Sequence, residues 1–206
     1  MVGTTVPAGT EPTRRHLTAK QADTVERMTT CAVEILLARG YASTTIRRIA
    51  AAAGVGTATA YVYFSSKEHV FSEIFWRRLT AAPRPEFGEL GPADRVVLTL
   101  REMSLLVADE PALALAVSSA LLGDDPDVQY LRVQIAAEIR RRLTDALGGQ
   151  DHGRIAVLEL LYTGAMLQAG IGRLSYAQVG DLLAACAYRI LNDGEGPAGR
   201  PPEQSV

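Results

Sequence analysis

Cysteine is scarce in this chain, with two in 206 residues, Cys31 and Cys186. They lie far apart in stretches of helical pattern, and His16, His69 and His152 have no ligand spacing with them. That argues against a disulfide framework and against a zinc site, and leaves buried free thiols in a reducing cytoplasm as the expectation. Long hydrophobic runs are missing too: none approaches the roughly 20 residues that span a bilayer. The first residues, MVGTTVPAGTEPTRRHL, hold no hydrophobic signal core. A cytoplasmic protein with no membrane partner is therefore expected. Catalytic signatures are lacking as well. There is no Gly-x-Ser-x-Gly, no phosphate loop and no metal spacing, and the paired acids Asp124-Asp125 fall in a Pro-bounded loop. An enzyme is the least supported class, and no catalytic, metal or cofactor site is expected.

What is present is apolar and unevenly charged. Hydrophobic residues make up 48% of the chain, ample for a core at this length. The net charge of −2 conceals an asymmetry. Residues 1–79 hold ten Lys and Arg against six Asp and Glu, whereas residues 80–206 hold eleven against seventeen. A basic first part on an acidic remainder suits a nucleic-acid-binding head on a body that avoids nucleic acid.

The stretch from Thr44 to Lys67, TTIRRIAAAAGVGTATAYVYFSSK, organises the rest. Ile46, Ile49, Ala50 and Ala53 fall at i, i+3, i+4 and i+7, one narrow apolar helix face, with Thr44 as the expected N-cap. Ala50 and Ala53 are small enough for another helix to cross closely. Gly54-Val55-Gly56 supplies a sharp turn, with Val55 free to plug the angle between helices. The next helix, roughly Thr57 to Phe64, is expected to expose Thr57, Thr59 and Tyr63 and to turn Ala60, Tyr61 and Phe64 inward. Short, hydroxyl-rich and bounded by glycine, it suits the recognition helix of a helix-turn-helix. Ser65-Ser-Lys-Glu68 has capping-box spacing, so a further helix starts near Ser66. Lys67 in its first turn opposes the helix dipole. A phosphate beside that terminus would be attracted by both the exposed amides and the ammonium.

With the following Glu-His-Val-Phe, these residues resemble the signature of the tetracycline-repressor (TetR) family of one-component regulators. That signature runs Thr-x-x-x-Ile-Ala-x-x-Ala-Gly-Val, then a hydroxyl-rich recognition helix ending Tyr-x-His/Tyr-Phe, then Ser-Lys-Glu. The match is ungapped over roughly residues 21 to 80. Gly56 stands where the family usually has Ser, and Ala58 where Gly or Pro is frequent. The resemblance implies DNA contacts residue by residue. Thr45 matches a phosphate-contacting position and Arg47 one that reaches a base edge, where Arg favours guanine. Thr57, Ala58 and Thr59 match exposed recognition positions, Tyr61 and Tyr63 the aromatic pair near the helix end, and Lys67 a phosphate-contacting lysine. It further implies a homodimer through the last two helices and, as partner, double-stranded DNA with a palindromic operator.

Around this stretch the chain reads as helices. Thr18-Ala-Lys-Gln21 is a capping box opening a helix with Val25, Met28, Ala32, Ile35 and Leu36 on one face and Gly40 at its end. Phe71, Ile74, Phe75 and Leu79 continue a stripe with Trp76 beside it, and residues 81–92 are rich in breakers. Further helices are expected over about 93–108, 111–122, 127–147, 152–172 and 176–191. The third of these has Val128, Leu131, Ile135 and Ile139 on one face, and Arg140-Arg-Arg142 near its end reads as a solvated face. Ser175-Tyr-Ala-Gln178 is another capping box. The penultimate helix is apolar nearly all round, so several of its faces must be covered.

The fold expected is all-α: an N-terminal three-helix head with a helix-turn-helix, plus a C-terminal helical bundle. Residues 1–17 form a disordered arm, 18–80 the DNA-binding domain, 81–192 the ligand-binding and dimerisation domain, and 193–206 a disordered tail. Candidate effector contacts are Trp76, Met103, Leu106, Leu113, Val117, Leu121, Ile135, Tyr162 and Met166, apolar walls with one hydroxyl that suit a small hydrophobic effector. The reading is a ligand-responsive repressor released from its operator by that effector. The rival is a helical interaction or ligand-binding protein with a vestigial helix-turn-helix, since the recognition helix carries no Arg or Lys.

Overall fold

The computed structural model describes residues 18–192, and nine α-helices with no strand follow one another within them. The arm read in residues 1–17 and the tail read in residues 193–206 lie outside the described residues. Three helices form the head: α1 (Ala19–Arg39), α2 (Ile46–Ala52) and α3 (Thr57–Tyr63). α1 opens with the reciprocal box between Thr18 and Gln21 and closes on Gly40, whose φ of 75° favours glycine. Its Val25, Met28, Ala32 and Leu36 are buried, and α2 packs across them through Ile46, Ile49 and Ala50.

The N-cap of α2 is Thr45, not Thr44. The Thr45 hydroxyl accepts the Arg48 amide, while Thr44 is wholly buried and donates its hydroxyl to the Gly40 carbonyl (3.0 Å). Either threonine satisfies the spacing rule. Thr44 is taken by the turn that ends α1. A similar one-residue shift occurs at α4 (Lys67–Ala81), where Ser66 accepts the His69 amide (3.1 Å). Glu68 does not close a box back on Ser65; it accepts the Tyr41 hydroxyl (3.0 Å).

α4 is the axis of the molecule. His69 to Phe75 are seven consecutive buried residues, because α1 packs on one side of the helix and α6 and α7 on another. The apolar stripe accounts for Phe71, Ile74, Phe75 and Leu79. It does not account for His69, Ser72 and Glu73, which are wholly buried polar residues. Glu73 accepts from Arg77 Nε (3.0 Å), and Arg77 also reaches Glu26 of α1 (3.0 Å). Burial pushes the Glu73 carboxyl above its ordinary value, with Arg77 opposing.

The body comprises α5 (Pro92–Leu105), α6 (Pro111–Leu121), α7 (Pro126–Leu147), α8 (His152–Gly170) and α9 (Tyr176–Asn192). The first three each start with proline at the first helical position, which needs no amide partner there. α5 stops at Leu105, short of the expected Ala108, and three-residue turns lead into Pro111. α9 packs on α5 and α8, and α7 lies against α4, α5 and α8. Arg142 does not belong to a solvated face. It is buried, pairs with Glu138 (2.8 Å) and donates to the carbonyls of Leu79 (2.7 Å) and Ala82 (2.8 Å) at the end of α4. Those carbonyls have no partner within their own helix, so a guanidinium there satisfies them and meets the negative end of the dipole. Arg140 and Arg141 remain exposed.

Candidate nucleic-acid interface and ligand cavity

α2 and α3 meet at the Gly54-Val55-Gly56 turn, where Gly54 takes φ of 65° and Val55 packs partly buried against the core. Gly56 caps α3 with no side-chain bond, as its identity requires. Thr57, Ala58 and Thr59 are exposed on the first turn, and Thr45 and Arg47 are exposed on α2. Ala60 and Phe64 are the inward pair at i and i+4. The tyrosines are arranged opposite to the sequence expectation: Tyr61 is 46% exposed, and Tyr63 is the one packed against the core. Tyr61 lies four residues after Thr57 and three after Ala58, so it shares their face. Tyr63 is drawn in beside Phe64. The exposed Val62 completes this surface, a residue that helical spacing alone did not single out.

Lys67 is held rather than free. Its ammonium donates to the Tyr41 carbonyl (3.1 Å) and sits 4.0 Å above the Tyr41 ring. Those contacts supply a cation–π attraction that offsets its unfavourable place in the first turn.

The junction between head and body is polar and specific. Ser65, just past the end of α3, donates its hydroxyl to Asp125 Oδ2 (2.7 Å) across 60 residues of chain. Asp125 is also the N-cap of α7. Burial raises its carboxyl, but hydrogen bonds from Ser66, Ser65 and the amides of Asp127 and Val128 outweigh that and hold it below the usual range. The buried His69 ring lies edge-on to Phe64, with Nδ1 3.2 Å from Ser65 Oγ and 3.6 Å from Asp127 Oδ2. A Cβ at Gly123 would sit 3.5 Å from Glu68 Cγ, so the α6–α7 loop rests directly on the first turn of α4.

A cavity of about 380 Å³ lies in the body. Of the nine effector candidates, Val117 and Leu121 of α6, Ile135 of α7, and Tyr162 and Met166 of α8 line it. Trp76, Met103, Leu106 and Leu113 do not: Met103 and Leu113 are buried in the core, and Trp76 and Leu106 pack partly buried against it. These four face the packed side of the same bundle, which periodicity cannot tell from the hollow side. The sequence reading missed Phe75, Val107 and Tyr176, and two charged residues, Arg132 and Glu159. Arg132 falls three residues before Ile135 and seven before Ile139, so the signal was there in the helical spacing. The Tyr162 hydroxyl is already used, donating to the Met103 carbonyl (3.2 Å), and burial pushes its phenol up. α6 and α8 approach closely beside the cavity: a Cβ at Gly170 would lie 2.7 Å from Ser118 Cβ.

One face of α8 is left uncovered. Val157, Leu160, Leu167 and Ile171 are exposed, Leu160 by 75%, and Gly164 between them is exposed too. Their spacing of three and four residues puts all five on one side of the helix. Leu182 of α9 is also exposed.

The family model for bacterial regulatory proteins of the tetR family matches residues 30–74, from the middle of α1 into α4. An uncharacterized HTH-type transcriptional regulator of Mycobacterium tuberculosis is 38% identical over 182 residues, covering 87% of this chain and 85% of the relative. Among solved structures, a TetR transcriptional regulator from Rhodococcus sp. RHA1 aligns with a TM-score of 0.68 at 23% identity, covering 85% of this chain and 99% of that one. A putative TetR-family regulator from Syntrophomonas wolfei aligns with a TM-score of 0.63 at 16% identity, covering 87% and 100%. At these identities the structural likeness speaks to the fold alone.

Proposed function

This chain belongs to the tetR family of DNA-binding transcriptional regulators, and on that premise we propose that it is a homodimeric repressor that leaves a palindromic operator when a hydrophobic effector fills the α6–α8 cavity. Residues 18–80 act as the DNA-binding unit and 81–192 as the ligand-binding and dimerisation unit. Arg47 reaches a base edge. Thr57, Ala58 and Thr59 meet the groove, and Thr45, Tyr61, Tyr63 and Lys67 meet phosphates. The effector lies against Val117, Leu121, Ile135, Tyr162 and Met166. The uncovered face of α8, with Leu182 of α9, packs on the same face of a second copy, an isologous arrangement that matches a two-fold operator.

The observation that carries the responsive part of this reading is the continuity between cavity and head. Leu121 and Leu122 line the cavity at the end of α6. Three residues later Asp125 holds the Ser65 hydroxyl at the end of the recognition helix. An occupant that displaces the end of α6 therefore pulls on the base of α3. For release, the effector must bind the arrangement incompatible with the operator more tightly, because equal affinity shifts nothing.

Selection of bound DNA from a random pool by the purified chain tests the reading, with the winner titrated over a range of salt and the mass of the complex measured by sedimentation. A palindromic winner, a steep salt slope and two chains per site are the expected results. Enrichment of a non-repeated site by a single chain would refute the dimer. No enrichment after unfolding, stripping and refolding would refute operator binding.

A further inference from the structure

We propose that the effector is an anion, a carboxylic acid with an aliphatic or aromatic body whose acid group pairs with Arg132. The proposal rests on the reading of the cavity as the effector site and adds the chemical class of the ligand.

The charges on the cavity wall carry the argument. Only Arg132 and Glu159 among its lining residues bear a charge. Glu159 is already neutralised by Arg140, whose Nε donates to Oε1 (2.8 Å) and whose Nη2 donates to Oε2 (2.6 Å). Both carboxylate oxygens are engaged by one planar fork. Arg132 is partly buried and makes no hydrogen bond or ion pair to any described residue. The wall therefore presents one uncompensated positive charge inside an apolar lining.

A guanidinium keeps its proton under all ordinary conditions. An occupant that drives water from the cavity must either satisfy Arg132 or leave it stranded, and a stranded charge is costly. A neutral hydrocarbon does the second, and an ammonium adds repulsion. A carboxylate accepts two parallel N–H bonds from the fork and leaves its apolar body against Ile135, Tyr162 and Met166. Leu122, away from the face of α8 assigned to the second copy, lines the cavity and is itself exposed, so the site is not sealed and an acid group can enter already ionised. The Tyr176 hydroxyl on the same wall makes no hydrogen bond to a described residue and is a second donor within the site. The volume sets the size. At about 380 Å³ it falls in the roughly 300–1,000 Å³ range of small-molecule sites, toward the lower end, which suits a medium-chain acid. Decanoate is of that size, and a single cation matches a single acid better than a polyphosphate.

The experiment is isothermal titration of the purified full chain with decanoate, decanol and decylamine, each below its solubility or micelle limit. Wild type is compared with Arg132→Gln and with Val117→Phe, which takes part of the cavity volume. Decanoate is expected to bind about tenfold or more tighter than decanol, as a charge-assisted hydrogen bond supplies, with decylamine weakest. Arg132→Gln should remove that preference by weakening decanoate, with decanol bound at least as tightly as before, and Val117→Phe should weaken both. Equal binding of decanoate and decanol, both sensitive to Val117→Phe, would overturn the acid and leave the cavity standing as the effector site. A preference that survives Arg132→Gln would overturn the role of Arg132. Failure of all three probes to bind, or binding indifferent to Val117→Phe, would overturn the cavity reading and the proposal with it.

Discussion

Head and body are both built from alanine, leucine, isoleucine and valine on helices, yet they arrange these residues to different ends. In the head, Val25, Met28, Ile49, Ala50 and Ala60 are wholly buried, and one long and two short helices close on one another with small residues at their crossings. In the body, side chains of the same types surround a 380 Å³ cavity and leave one face of α8 in solvent. The head presents its surface on a closed, well-packed core. The body does not close on itself in that way. α4 runs between them and belongs to both, buried by α1 on one side and by α6 and α7 on another.

Large-to-small substitutions should break the contrast most visibly. Phe64 is fully buried where α3 ends, in edge contact with His69. Phe64→Ala should cost about 3–5 kcal/mol of stability in chemical denaturation. Leu121→Ala, at a side chain that already borders a void, should cost about 1–2 kcal/mol, because less packing is lost. Equal losses would mean that the cavity is closed in solution. The reverse substitutions sharpen the same point. Ala60→Leu should cost about 1–3 kcal/mol by overpacking, whereas Val117→Phe, directed into the cavity, should cost under about 1 kcal/mol.

DNA binding then separates residues within the head. Arg47→Ala should relax base preference by about 1–3 kcal/mol at one operator position. Lys67→Ala should weaken binding to all sequences alike and lower the salt slope by about one. Because Lys67 also holds Tyr41, its variant should lose some stability as well, which melting without DNA will register. If Lys67→Ala left both affinity and slope unchanged, Lys67 would be a structural residue alone.

Ser65→Ala tests the junction. Losing one hydrogen bond to a carboxylate should cost on the order of 1–3 kcal/mol of stability. It should change operator affinity little and raise the effector concentration needed for release. Glu73 is best read through pH, where its slope rather than its total stability is compared. Its folded pKa is raised by burial, so its contribution favours folding below the unfolded value near pH 4.3 and is lost as pH rises through the folded value. Melting temperatures between pH 4.5 and 7 should therefore fall less steeply with rising pH in Glu73→Gln than in wild type.

Local rules made most of the helices legible. Capping spacings, prolines at first helical positions and glycine stops placed the ends within a few residues, and the face Ile46, Ile49, Ala50 and Ala53 was readable outright. The misses share one cause. Thr44, Tyr63 and Arg142 are each settled by a partner distant in sequence or by the crowding of a neighbouring element: the turn after α1, the packing beside Phe64, the carbonyls ending α4. Spacing on one helix does not reveal those. The cavity was half legible for the same reason. Periodicity finds inward residues such as Leu113 and Val117 equally well, and only the assembled bundle separates the one that packs from the one that lines a void.

On the proposed coupling, a change in the cavity alters affinity at the DNA-reading surface. The most direct measurement is the affinity of wild type and Val117→Phe for the selected operator, side by side over one salt series. Val117→Phe should bind roughly tenfold more weakly with an unchanged salt slope, because the phosphate contacts remain while the arrangement of the heads shifts. Equal affinity in a Val117→Phe protein shown to be folded, with its cavity filled, would contradict that coupling.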